Sequence, residues 1–91
     1  MSNAPRVLNM HDTADSDGSV YVGRPTIWGN PFLIPRDGSR EQVIEKFRQY
    51  LMADKALQEA VRRELRGKNL VCWCAPRRCH ADVLLEFANA P

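Results

Sequence analysis

Leu70-Val71-Cys72-Trp73-Cys74 decides the fold, and Cys79-His80 follows after a four-residue gap. The stretch is apolar and bounded by Gly67-Lys68-Asn69 before and Ala75-Pro76 after, so it reads as a short buried strand. Alternation along a strand sends Cys72 and Cys74 to one face and Trp73 to the other, into packing. Pro76 suits the first position of a helix, which places Cys79 and His80 in its opening turn or just before it. The unit is strand, short loop, helix. In α/β folds this junction is where ligands gather, because free backbone N–H groups and the positive end of the helix dipole converge there.

All three cysteines and one of the two histidines fall within nine consecutive residues. Three readings of this cluster stay open at the level of sequence. In the first, Cys72, Cys74, Cys79 and His80 hold zinc, although a C-x-C-x4-C-H spacing lacks the usual pair of short knuckles. In the second, Cys79 or Cys74 is a reactive or ligand-facing thiolate, its pKa lowered by the helix N-terminus and by Arg77, Arg78 and His80. In the third, the cysteines are small buried hydrophobes.

The 91 residues support one compact α/β domain over 1–91, with 1–5 as a loose terminus. A core this modest would gain from oligomerisation, and a homodimer with Trp28 or an outer helix face as interface is one reading. Hydrophobic residues at 44% and charged residues at 26% are ordinary for a soluble protein. No apolar run approaches the roughly 20 residues of a membrane span, and no basic, apolar signal peptide is present. An odd number of crowded cysteines argues against a disulfide framework and for the reducing cytoplasm. A net charge of +2 is too small to argue nucleic-acid binding by itself. Basic residues do cluster at Arg62-Arg63, Arg66 and Lys68 and again at Arg77-Arg78, where they would serve a phosphate-bearing ligand or form a solvated helix face.

Working outward, Arg6 to Met10 reads as a first strand and His11 to Ser19 as a loop, with His11 a loop residue. Val20-Tyr21-Val22 is a second strand ended by Gly23. Arg24-Pro25-Thr26-Ile27-Trp28-Gly29-Asn30-Pro31-Phe32 holds two prolines and a glycine and forms a fixed irregular loop. Ser39-Arg40-Glu41-Gln42 is a capping box opening a helix with Val43, Ile44, Phe47, Tyr50 and Leu51 on one face. The phase breaks near Asp54. A second helical stretch carries Leu57, Ala60, Val61 and Leu65 until Gly67 closes it. A last helix packs Val83, Leu84, Phe87 and Ala88 on the sheet and leaves Asp82 and Glu86 outward. The order predicts a small two-layer α/β sandwich, about three strands in a partly parallel sheet with three helices.

These residues also carry a resemblance. Val20 to Pro25 with Trp28 to Phe32, then Leu65 to Leu70, then Cys72 to Pro76 and Cys79-His80 through Leu84 and Asn89, resemble the domain of unknown function 4326 family. The resemblance spans about four-fifths of the chain. It implies a protein encoded in bacteria and very often in their phages, and brings no established activity. The Cys-His step is also similar to that of domain of unknown function 488, which has an acidic residue where Cys74 stands here, so the resemblance does not imply four zinc ligands.

The first motif has a physical reading as well. Gly23 permits close backbone approach, Arg24 offers a fork for phosphate, Trp28 a stacking face beside Gly29, and Asn30 an amide for a base edge. The plainer reading is that Trp28 and Phe32 pin the loop to the core and Asn30-Pro31 makes a turn. If the strands are parallel neighbours, the Arg24–Phe32 loop and the Cys74–His80 turn face each other across one cleft. The expected function is binding of a small phosphate-bearing or nucleotide-like ligand there, with Arg77 and Arg78 nearby. If the protein is an enzyme, Cys79 or Cys74 is the nucleophile and His80 the base of a transferase or hydrolase. The alternative is a zinc-stabilised interaction module binding a host protein or, less in keeping with the charge, nucleic acid.

Overall fold

The computed structural model describes residues 5–10, 18–74 and 77–90. Three expectations lie outside them: the loose terminus up to residue 4, the loop position of His11, and the placement of Pro76. In chain order the elements are β1 (Val7–Asn9), β2 (Val20–Tyr21), α1 (Arg40–Met52), α2 (Lys55–Glu64), β3 (Leu70–Cys72) and α3 (His80–Asn89). The helix after the cysteine strand therefore begins at His80, four residues later than a start at Pro76 would give.

β3 is the centre of a three-stranded sheet of order β1-β3-β2. Both pairings are parallel, as the expected α/β sandwich with a sheet at least partly parallel allows. Val7 and Val20 flank Leu70, and Leu8 and Tyr21 flank Val71. β3 is flanked by a strand on each side and packed on by α3, and Leu70, Val71 and Cys72 are all buried. The long crossover through α1 and α2 returns the chain from β2 to this central position.

Local chemistry sets the helices. Ser39 Oγ accepts from the Gln42 backbone N–H at 3.3 Å, and Gln42 Oε1 accepts from the Ser39 N–H at 2.8 Å, closing the expected capping box. α1 buries Val43, Ile44, Phe47 and Leu51. Tyr50, expected on the same face, is exposed at its margin, with its ring against Phe32 and Phe47. Asp54 Oδ1 accepts from the Leu57 N–H at 3.0 Å and starts α2. After α2, Gly67 turns the chain at φ +77°, a conformation that favours glycine.

α3 lies on β1 and β3 and also touches α1 and α2, which touch each other. The result is one sheet and one layer of three mutually packed helices, with a core running through Val22, Phe47, Leu51, Val61, Leu65, Leu70 and Leu84. Trp28 belongs to this core, 6% exposed. Among the described residues no helix is long and apolar enough to cross a membrane.

Candidate functional site

The parallel strands end within one residue of each other, and a cavity of about 360 Å³ opens beside the carboxyl ends of β2 and β3. Its walls come from four segments: Tyr21 of β2 with Gly23 and Arg24 just after it; Asn30 with Phe32, Leu33 and Ile34; Arg40, Val43 and Ile44 of α1; and the cysteine stretch with His80. The loop after β2 and the start of α3 thus share one cleft.

Arg24 is presented by two glycines. A Cβ on Gly23 would overlap the phenol of Tyr21, and one on Gly29 would sit 3.0 Å from Arg24 Cγ. The close approach at Gly23 is therefore made by the Tyr21 ring, whose hydroxyl donates to Arg24 O at 3.0 Å. Thr26 Oγ1 donates to Gly23 O at 2.6 Å and fixes the turn. Arg24 Nη1 donates to Asn30 O at 2.7 Å. From α1, Arg40 Nη1 donates to Arg78 O at 3.2 Å. Among the described residues, neither Arg24 nor Arg40 forms an ion pair and no carboxylate lines the cavity.

The two tryptophans exchange their expected roles. Trp28 is in the core and does not line the cavity, so it offers neither a stacking face there nor a dimer surface. Trp73, expected in packing, is 57% exposed and lines the cavity, its indole N–H donating to Tyr21 Oη at 3.1 Å. The physical reason is that β3 ends at Cys72, and alternation does not govern the residue after a strand's last pairing. Asn30 is not a free amide either: Nδ2 donates to Val43 O at 3.3 Å, and Oδ1 accepts from the Phe32 N–H at 2.9 Å.

No disulfide joins the three cysteines, and their sulfurs lie within 4.8 Å of one another. Cys72 and Cys79 are buried with sulfurs 3.2 Å apart, and Cys74 is half-buried. The hydrogen bond with Cys72 and then burial push the Cys79 thiol well above its ordinary value. This reverses the expected lowering, and with it the case for Cys79 as a ready nucleophile. Arg77 and Arg78 do not supply the expected field: both are exposed outside the cavity, and Arg78 pairs with Glu41. The α3 N-terminus is occupied too, because Asp82 Oδ2 accepts from the Cys79 N–H at 2.9 Å. Asp82 therefore turns back onto its helix end and does not simply point outward.

His80 is buried, its ring edge-on to Phe47. Its Nε2 lies 2.7 Å from Val22 O. A carbonyl only accepts, so Nε2 carries the proton and Nδ1 does not. Burial holds its pKa below the ordinary value, so the ring is neutral at neutral pH. His80 stands outside the sulfur group, and the four-ligand set of Cys72, Cys74, Cys79 and His80 is not assembled.

The sequence profile of the family described as domain of unknown function (DUF4326) matches residues 8–90. The chain belongs to this family. It is 34% identical over 92 residues to an uncharacterized 12.4 kDa protein of Enterobacteria phage T4, covering 97% of this chain and 83% of that one. It is also 34% identical over 86 residues to an uncharacterized protein of Acanthamoeba polyphaga mimivirus, covering 75% of this chain and 65% of that one. No solved structure matches the chain.

Within this DUF4326 chain, the segment at 65–70 is structural. Arg66 donates to Ala88 O and Ala90 O, Asn89 Oδ1 accepts from the Gly67 N–H, and Asn69 Oδ1 accepts from the Arg6 N–H. Arg62 lies over the Phe87 ring and Arg63 pairs with Glu64. The basic run at 62–68 thus fastens α3 and faces solvent, away from the cavity. Arg40 is the cavity cation that sequence reasoning missed, because its position inside the capping box explains it locally and only the tertiary fold turns it to the cleft.

Proposed function

We propose that this DUF4326 protein binds a small phosphate-bearing, nucleotide-like ligand in the cavity beside the strand ends. The observation that carries the reading is the pair Arg24 and Arg40. Each is tethered by one backbone carbonyl, and neither has a carboxylate partner among the described residues. Such forks take phosphate oxygens with charge-assisted hydrogen bonds. Trp73, Tyr21 and Phe32 supply aromatic surface for a base or sugar. The volume falls in the range of small-molecule sites, and the place is the crevice where open parallel sheets hold ligands.

Binding is the function proposed, since His80, the candidate base, is committed to Val22 O through Nε2. Cysteines without a disulfide suit a reducing compartment such as the cytoplasm of a bacterial host.

Calorimetric titration with nucleoside diphosphates of each common base, and with inorganic phosphate, tests the reading. A nucleoside diphosphate should bind, and Arg40→Ala or Arg24→Ala should weaken it by about tenfold or more, the worth of one hydrogen bond to a charged group. Absence of binding across the panel, or full affinity in both variants, overturns the proposal.

A further inference from the structure

We infer that Cys72, Cys74 and Cys79 form a three-thiolate site for a soft or borderline metal ion, zinc foremost, with the fourth coordination position directed into the cavity. The sulfurs lie within 4.8 Å of one another, and the closest pair, Cys72 and Cys79, is 3.2 Å apart. Tetrahedral zinc with bonds of about 2.3 Å sets its sulfurs about 3.8 Å apart, so small side-chain adjustments close the set. The fold gathers the sulfurs without a knuckle. Cys72 closes β3, and a turn with the Arg77 N–H donating to Cys74 O at 2.8 Å brings the chain back. Cys79 then sits immediately before α3, its backbone held by Asp82.

The donor set is wholly sulfur among the described residues. His80 is bonded to Val22 O outside the group, and no carboxylate of the described residues lines the cavity. All-sulfur donors select zinc or copper(I) over magnesium or calcium. All three cysteines line the cavity, so the fourth ligand is a water or an oxygen or nitrogen of whatever occupies it. Three protein ligands plus one exchangeable position is the arrangement of reactive zinc centres, whereas structural centres are closed. On binding, each thiol loses its proton to solvent and one metal–sulfur bond forms per cysteine. A zinc ion with three thiolates carries one net negative charge, and Arg24 lines the same cavity as a counter-charge.

This inference stands independently of nucleotide binding, so the two fail separately. The test uses the full chain, reduced and loaded with zinc or cobalt(II), then desalted. About one metal per chain should remain by elemental mass spectrometry, and cobalt should show sulfur-to-metal charge-transfer absorption. His80→Gln should keep that absorption, and Cys74→Ser, at the least buried of the three, should lose most of it. Added imidazole should shift the cobalt visible bands by entering the open position. Absence of retained metal in the wild-type chain overturns the site. Loss of the absorption in a folded His80→Gln variant overturns the all-sulfur set, and visible bands indifferent to imidazole overturn the open position.

Discussion

Asn30 shows how one residue's chemistry is decided by where its hydrogen bonds go. Its amide joins Val43 O of α1 to the Phe32 N–H of the loop, both from a buried position. Removing the amide takes the second hydrogen bond from Val43 O and leaves the part-buried Phe32 N–H without its acceptor, a loss that costs about 1–3 kcal/mol. Asn30→Ala is therefore expected to lower unfolding stability by about 2 kcal/mol or more, measured by urea denaturation without any ligand. A variant of wild-type stability with altered ligand affinity would instead return Asn30 to a base-reading role. Trp28 and Trp73 teach the same lesson. Residue type suggests an aromatic role for either one, and only the last pairing of β3 decides which of them lines the cavity.

At the scale of elements, the 33–37 turn makes a pH-dependent contribution whose sign can be worked out. Asp37 Oδ2 accepts from Arg36 and from the Leu33 N–H at 2.9 Å, tying together the turn that brings Leu33 and Ile34 into the cavity wall. The Arg36 hydrogen bond first, and then the Leu33 N–H, hold the Asp37 carboxyl below its ordinary value of 3.8. A lowered native value means that the unfolded chain takes up the proton first as pH falls. The stabilisation is thus present above the ordinary value and lost as pH drops through the lowered one. A carbon-detected NMR titration of the Asp37 carboxyl should give a midpoint below 3.8. The stability gap between wild type and Asp37→Asn should hold from neutrality down to the ordinary value of 3.8 and shrink as pH falls below it. A midpoint at or above the ordinary value would sink this account. Elements whose signals are local were readable in advance. The Ser39–Gln42 box, the break at Asp54 and the apolar run of β3 each carry their cause within a few residues. Strand ends were over-read because they depend on partners: β3 stops at Cys72, where its flanking strands stop pairing. The cysteine cluster was visible as spacing, but the exclusion of His80 depended on Val22 O, 58 positions earlier. Arg40 was hidden for the same reason.

For the molecule as a whole, the cavity belongs to no single element. Its walls come from the loop after β2, the 30–34 stretch, the first turns of α1 and the β3–α3 connection, which are the parts that the central strand and α3 hold together. Unfolding any one of them destroys the site, so a ligand bound there is bound only by the complete fold. Mass action then ties affinity to global stability: at a ligand concentration about 100 times Kd, the folded state gains about 2.7 kcal/mol. In a domain of this size each kcal/mol moves Tm by about 4–8 °C, so a rise of roughly 10–20 °C is expected with a saturating nucleoside diphosphate. Amide hydrogen exchange should slow in Leu70–Cys72 along with the cavity loops, since β3 opens only with the whole molecule. Arg40→Ala, which removes a cavity cation without touching the core, should cut the thermal shift while leaving the ligand-free Tm close to wild type. A shift retained in that variant, or exchange slowed only in one loop, would mean that the ligand sits on a local surface and not in the shared cavity.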